Sequence, residues 1–197
     1  MKYLTASKKK TVLFISFKKK GALKSGNKEQ RFDFKRKTEI QSKKRTSMIY
    51  AFNLQDKISN LLKYQSLAVL ASQKDGQSYA NLVAFAVSDN LQIMLFATSR
   101  STRKFSNIQG NPLVALLVDN RLNSPADFKD ALAVTAIGKA MEVNGSEKEK
   151  FSSIYLAKHP HLSDFISSPN QALLRVNVSK YIVVSNFQRV LEMDVDE

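Results

Sequence analysis

The most informative stretch of this sequence spans residues 98–108 and reads Thr98-Ser99-Arg100-Ser101-Thr102-Arg103-Lys104-Phe105-Ser106-Asn107-Ile108. An apolar, strand-like run precedes it, and a short helix is expected to begin within it and to stop at Gly110. Hydroxyls and three cations therefore lie between a strand end and a helix N-terminus, where backbone N–H groups and the helix dipole favour an anion. Arg can hold phosphate oxygens with two parallel hydrogen bonds, and Lys adds a point charge. The stretch predicts a phosphate site, although a solvated basic helix start would have the same composition.

Apolar runs bounded by turn signals lie on both sides of this stretch. We expect strands over residues 66–72, 79–87, 91–98, 112–119, 131–143 and 172–184. Asp75-Gly76 and Asp89-Asn90 are hairpin signals between the first three runs. Gly138, inside the fifth run, suggests a bulge or a close approach of two backbones.

Helices are expected at the margins of these strands. A first helix near Asn53 carries one apolar stripe made of Leu54, Ile58, Leu61 and Leu62. Ser146 and Glu149 have the spacing of a capping box for a helix that runs to about Lys158, and a smaller turn or helix is expected over residues 162–166. Residues 120–130 are expected to form a loop. The element order predicts a β-rich fold, mainly β with peripheral helices, and favours a barrel over alternating βαβ units.

The charge distribution divides the chain in two. Residues 1–48 hold 16 Lys and Arg against three acidic residues, whereas residues 49–197 hold 15 against 14, so nearly all of the net charge of +14 lies in the first part. We expect residues 1–48 to be a basic disordered tail, because they contain too few apolar residues to bury a core. Residues 49–197 are expected to form one domain. The change in composition is sharp enough that Met48 could be the natural start and the tail a non-native extension.

Cysteine is absent from the sequence. This excludes disulfides, thiolate metal sites and a Cys nucleophile, and it suits a reducing compartment. We therefore expect a cytoplasmic protein. No apolar run in the tail approaches the roughly 20 residues that cross a bilayer, so no membrane association is expected. His159 and His161 are the only histidines, and no third ligand has suitable spacing, so no metal site is predicted.

The ordered motifs resemble those of the pyridoxamine 5′-phosphate oxidase-like superfamily over essentially all of residues 50–192. They are Phe96-Ala97-Thr98, then Thr102-Arg103-Lys104, then Asn107-Ile108 and Asn111-Pro112 before an apolar strand. The resemblance implies a six-stranded split β-barrel of the FMN-binding type, a homodimer, and FMN at each interface site. It also implies that Arg103 and Lys104 hold the FMN phosphate with help from Thr98.

Further cofactor contacts are predicted around these residues. From charge and position we add Arg100, and the hydroxyls of Ser99 and Thr102 complete the expected phosphate shell. The resemblance places residues of the second strand, Asn81 and Val83 among them, along the isoalloxazine ring.

The resemblance also points to a substrate site. Pyridoxamine oxidases proper bind substrate with a Tyr, an Arg and a Ser spaced four apart, and Tyr155, His159 and Ser163 have that spacing here. His replaces Arg, and a C-terminal Arg-x-His segment is missing, which argues against pyridoxal-phosphate chemistry. We therefore expect an FMN-dependent oxidoreductase acting on a small-molecule redox substrate, with no catalytic side chain assigned.

Three alternatives remain open at the level of sequence. The protein could carry flavin without turnover, or it could bind haem, because haem-degrading relatives share the split barrel. The basic tail could instead contact nucleic acid or an anionic surface electrostatically, although we favour a solvated or non-native extension. Removal of residues 1–47 separates the last alternative from the others, because salt-sensitive nucleic-acid binding would disappear while flavin content would not change.

Overall fold

A computed structural model describes residues 53–186 and 189–195 of the chain. The expected basic tail, the proposed start at Met48 and the remaining terminal positions lie outside the described residues. In the described part, no helix combines the length and the apolar character needed to cross a membrane.

The elements follow the order expected from the sequence. Helix α1 covers residues 53–64. The elements that follow are β1 (Leu67–Lys74), β2 (Gln77–Val87), β3 (Ile93–Ser99), α2 (Arg103–Gly110), β4 (Leu113–Asp119), α3 (Asp127–Asp130), β5 (Leu132–Glu142), α4 (Glu147–Lys158), a 3-10 turn (Pro160–Leu162), α5 (Ser163–Ser167), β6 (Gln171–Ser185) and β7 (Arg189–Asp194).

The sheet closes into a barrel. Its strands lie in the order β3-β2-β1-β4-β5-β6-β7, all observed pairings are antiparallel, and a further pairing joins β3 to β6. Six strands therefore form the closed barrel, and β7 adds to the second half of β6. The predicted β-rich fold, a six-stranded split barrel with peripheral helices, is confirmed.

Two apolar layers hold the barrel together. Side chains that alternate inward from the six strands fill the interior, and the predicted stripe of α1 packs against them with Ile58 and Leu62 fully buried. A second cluster joins Leu95 and Leu173, on the outer face of β3 and β6, to Phe151 and Tyr155 of α4. The helices after β5 thus cover one outer side of the barrel.

Two predicted backbone features, a hairpin turn and a β-bulge, are present. Asp75 and Gly76 both adopt positive φ, as a two-residue hairpin turn requires. The register of β5 against β6 shifts between Ile137 and Gly138, and a Cβ on Gly138 would meet the carbonyl of Asn177. Both the bulge and the close backbone approach expected at Gly138 are therefore present.

Three local predictions differ from the structure. The capping box at Ser146 is wrong, because Ser146 is already helical and its side chain makes no capping hydrogen bond. Lys148 N–H instead donates to Gly145 O, so the chain enters α4 through a turn at a glycine with positive φ. The expected loop 120–130 contains the short helix α3, and β7 was not predicted.

Candidate phosphate and cofactor site

The barrel opens where β2 separates from β3. All of β2 up to Ala84 pairs with β1, whereas β3 pairs only with Phe85, Ala86 and Val87. Among the residues that the structure describes, 77–84 therefore have a strand partner on one side only. Backbone groups along such an edge are available for hydrogen bonds with another molecule.

Side chains of this separated segment face the barrel interior at its open end. Tyr79, Asn81 and Val83 alternate onto the same face as the buried Phe85. The two side-chain heteroatoms of Asn81, Nδ2 and Oδ1, are both buried and lack a hydrogen-bond partner in the described chain. A buried polar group left unsatisfied costs about 1–3 kcal/mol. This face therefore offers one donor and one acceptor that the protein itself does not use.

Hydroxyl groups define the start of α2. Thr102 Oγ1 donates to Ser99 O at 2.8 Å and accepts from Phe105 N–H at 3.4 Å, so Thr102 caps the helix. The hydroxyl of the buried Thr98 lies 3.0 Å from Thr102 Oγ1. Because the Thr102 hydroxyl already donates to Ser99 O, Thr98 is the donor in this pair. Ser99 Oγ lies 2.9 Å from Ser101 Oγ. The predicted hydroxyl residues are thus brought together, and they fix the first turn of α2.

Two cations follow the cap without a carboxylate beside them. The guanidinium carbon of Arg103 lies 5.0 Å from the centroid of the Tyr79 ring, which brings α2 to the separated edge of β2. Partial burial lowers the pKa of the Lys104 ammonium, because desolvation disfavours its charge. Neither cation forms an ion pair among the described residues. An anion bound here would relieve that desolvation and meet the positive end of the helix.

Arg100 is engaged elsewhere. Its guanidinium donates to the carbonyl oxygens of Pro169 at 2.5 Å and Gln171 at 2.7 Å, and it pairs with the carboxylate of Glu142. These contacts join the beginning of β6 to the end of β5. Arg100 therefore helps to hold these strand ends together, and its contact with a phosphate stays a prediction. Arg103 and Lys104 have no such ion pair within the described residues.

The structure does not bring Tyr155, His159 and Ser163 to these cations. Tyr155 and His159 are almost fully buried outside the barrel wall, with Tyr155 Oη 3.5 Å from Ala84 O and His159 Nε2 2.8 Å from Phe85 O. Burial raises the pKa of Tyr155 to about 12 and lowers the pKa of His159. Ser163 is exposed at the first position of α5. In this conformation the three residues form no open substrate site.

Sequence reasoning missed Lys158 beside this cluster. Its Nζ donates to Leu62 O at 2.7 Å and lies 3.8 Å from the centroid of the Phe85 ring, so it ties α4 to the last turn of α1. Burial lowers its pKa to about 8. The position of a lysine in the last turn of a predicted helix is a weak signal, because such lysines are usually solvated.

Other features of the surface lie away from the cations. A pocket of about 330 Å³ lies at the C-terminal end of α2, where Ile108, Gln109 and Glu142 contribute to its lining. Within the described ranges, no group of three or more His, Asp or Glu residues is placed to hold a metal ion. The arrangement at the N-terminus of α2 thus remains the best candidate for ligand binding.

The closed strand order and the separated edge of β2 define a split β-barrel protein, and the paired cations at the start of α2 make a candidate anion site beside its opening. The family model of pyridoxamine 5′-phosphate oxidase matches residues 54–185. The chain therefore belongs to the pyridoxamine 5′-phosphate oxidase family. No curated protein matches it.

Solved structures share this fold at low sequence identity. A heme-binding protein from Mycobacterium smegmatis has a TM-score of 0.62 at 14% identity, over 68% of this chain and 55% of its own. General stress protein 26 from Bacillus anthracis has a TM-score of 0.52 at 20% identity, over 71% and 98%. A FAD-binding protein from Mesorhizobium loti has a TM-score of 0.52 at 19% identity, over 64% and 89%. This chain therefore spans about half of the heme-binding protein and most of the other two.

Proposed function

We propose that this protein binds FMN, with the phosphate at the N-terminus of α2 and the ring system along the separated edge of β2. The observation that carries the proposal is the contact of the Arg103 guanidinium with the Tyr79 ring. It brings to that edge two cations, Arg103 and Lys104, that have no ion pair within the described part of the chain. A phosphate monoester matches the Arg and Lys donors, and a flat heteroaromatic ring matches a strand edge with free backbone groups. Membership of the pyridoxamine 5′-phosphate oxidase family supports the same ligand.

We further propose that the holoprotein is an oxidoreductase acting on a small molecule, such as a reduced nicotinamide or a small organic donor. A bound flavin would supply the electron transfer, so no side chain is required as a general base for simple hydride acceptance. The chain's own residues have three tasks in this proposal. Arg103 and Lys104 bind the phosphate, Thr98 and Thr102 keep the helix start in place, and β2 orients the ring.

A second copy of the chain is proposed as the partner. The outward-facing side chains of β1, β2, β4 and β5 form an apolar face on the part of the outer barrel surface that α4 does not cover. Leu82 is 64% exposed on this face. The larger apolar members of this face are Leu67, Val69, Leu82, Leu113, Leu117, Ile137 and Met141. An apolar patch of this kind marks an interface, and the family resemblance implies a homodimer.

Haem is the second candidate ligand, because one structural neighbour is a heme-binding protein. Of the two histidines, His159 directs Nε2 at the Phe85 carbonyl and is 3% exposed, so that nitrogen is not free to bind iron. His161 is exposed, and its ring centroid lies 6.0 Å from that of His159. The engagement of His159 favours FMN over haem.

The proposal is tested by equilibrating the purified protein with FMN and, separately, with haem, removing free ligand by gel filtration and recording the visible spectrum. We expect a stoichiometric flavin spectrum and no stable Soret band. Flavin that elutes entirely free of the protein would contradict the proposal. A stoichiometric Soret band without flavin retention would favour haem.

A further inference from the structure

Two buried amide side chains in the described chain contain heteroatoms without a hydrogen-bond partner. In Asn81 both Nδ2 and Oδ1 are unpartnered, and in Gln171 only Oε1 is. Their positions differ. Asn81 faces the barrel interior with Val83 and Phe85, on the same face of β2 as Tyr79, whose ring contacts Arg103. Gln171 faces outward with Leu173, in the layer covered by the helices.

The Asn81 amide lies at a suitable position to meet a ligand anchored at α2. Tyr79 and Asn81 are two residues apart on one face of a strand, which separates their Cα atoms by about 7 Å. Tyr79 is the residue that Arg103 overlies. Consider a ligand whose phosphate is bound at Arg103 and Lys104 and whose other end extends along β2. The remainder of that ligand would lie beside Asn81.

The chemistry of the unpartnered groups restricts that molecule. The Asn81 side chain needs a hydrogen-bond donor for Oδ1 and an acceptor for Nδ2. A ligand with an N–H next to a carbonyl, as in an imide, supplies both. The pyrimidine edge of a flavin has this pattern at N3–H and its adjacent carbonyl oxygens. The perimeter of a porphyrin offers carboxylates but no imide, so a porphyrin would leave the Asn81 oxygen buried without a donor.

We propose that Asn81 is the residue that selects a flavin over a porphyrin, with Oδ1 accepting from the flavin N3–H and Nδ2 donating to an adjacent carbonyl oxygen. This inference rests on the proposed FMN function and adds a specificity-determining residue to it. In the ligand-free protein the unsatisfied amide costs stability, which is the usual exchange of stability for function at a binding site.

The test compares FMN with an FMN analogue methylated on N3, using the wild-type chain, Asn81→Leu, and Gln171→Leu as the matched control. Leu has nearly the shape of Asn and removes the unpartnered heteroatoms. We expect wild type and Gln171→Leu to bind FMN about tenfold more tightly than the methylated analogue. Asn81→Leu should bind the two flavins equally, at the affinity that wild type has for the analogue.

Thermal unfolding of the flavin-free proteins gives a second readout. Removal of an unsatisfied buried amide relieves a cost, so both Asn81→Leu and Gln171→Leu should unfold at or above the wild-type temperature. A purely structural Asn81 would instead lower it.

Three results would overturn the inference. They are equal binding of the two flavins by wild type, retention of the discrimination in Asn81→Leu, and a clear loss of stability in the flavin-free variant. The first two leave FMN binding intact and therefore reject only the role of Asn81. A wild-type protein that binds neither flavin rejects the proposed function as well.

Discussion

Lys158 shows how a single side chain connects two helices of this fold. Its ammonium donates to Leu62 O in the last turn of α1 and lies over the Phe85 ring. The carbonyl groups at a helix C-terminus attract a cation, while burial disfavours its charge. The effect of burial is larger than the attraction of the helix C-terminus, because the pKa of Lys158 falls from 10.5 to about 8.

This pKa predicts the pH dependence of stability. Between about pH 8 and pH 10.5 the unfolded chain binds a proton at Lys158 that the folded chain does not, so the free energy of unfolding should rise with pH in this window. Below pH 8 the residue is protonated in both states and contributes no slope. We expect Lys158→Met to reduce the rise, leaving only the smaller contribution of other buried lysines such as Lys104, whereas Lys148→Met, on the exposed face of the same helix, should keep it in full.

The measurement is urea unfolding from pH 7 to 9.5, a range that ends before Tyr155 and Tyr181 complicate the result. Burial raises the pKa of both tyrosines, so ionisation of the unfolded chain near pH 10 and above opposes the effect of Lys158. Parallel pH profiles for wild type and Lys158→Met would contradict the assignment.

Individual roles at the site were only partly predictable from the sequence. The residue types around Thr102 identified a helix start, and the cap, Arg103 and Lys104 all lie there. The role of Arg100 was not predictable, because its partners at Pro169, Gln171 and Glu142 are distant in sequence. The unpartnered amide of Asn81 likewise becomes visible only when its surroundings are known.

At the scale of elements, the pairing of β5 with β6 depends on one glycine. Ser179 is the extra residue of β6 at the register shift, and its hydroxyl donates to Ile137 O at 3.2 Å. A Cβ on Gly138 would meet the Asn177 carbonyl oxygen and would lie 2.9 Å from the carbonyl carbon. Backbone atoms cannot yield to such a contact as a flexible side chain can.

We therefore expect Gly138→Ala to destabilise the domain by about 3 kcal/mol, the upper end of the usual cost of overpacking, because the contact is with backbone atoms. Gly110→Ala is the matched control, because a Cβ there meets nothing within 4 Å. Thermal and urea unfolding of both variants provide the measurement. A Gly138→Ala protein as stable as wild type would show that the two strands can separate at the bulge without loss.

Most elements were predictable because their signals are local. The stripe of α1, the Asp75-Gly76 turn and the long apolar runs each act through neighbouring residues. β7 was missed because its sequence, Arg-Val-Leu-Glu-Met-Asp, mixes charges with apolar residues, and it exists as a strand through its pairing with the second half of β6. Lys180 of β6 reinforces that pairing with ion pairs to Glu192 and Asp194.

For the whole molecule, the uncovered outer face of β1, β2, β4 and β5 determines the proposed assembly. Leu67 and Leu82 are 53% and 64% exposed on a sheet surface whose other outer side is covered by α4. The proposed cofactor edge of β2 belongs to the same strand as Leu82. A second copy seated on this face would therefore lie beside the flavin.

We expect Leu82→Glu to convert the proposed dimer into a monomer and to weaken FMN binding, because a carboxylate cannot be buried in an apolar interface without a partner. Val190→Glu is the control, since Val190 is an exposed apolar residue on β7 outside this face. Light scattering coupled to gel filtration gives the mass of each variant. A wild-type protein that is monomeric with bound FMN would contradict the proposed assembly.

Arg103 and Lys104 are proposed to bind the phosphate of FMN, and the rest of the proposed site depends on this contact. The most direct measurement is an FMN titration followed by flavin fluorescence, with wild type, an Arg103→Ala, Lys104→Ala double variant, and a Lys57→Ala, Lys63→Ala double variant as the control. The control removes the same charge from exposed positions on α1. We predict that the α2 variant loses at least a hundredfold in affinity for FMN, while its affinity for riboflavin, which lacks the phosphate, is unchanged. Equal FMN affinity in all three proteins would contradict the account.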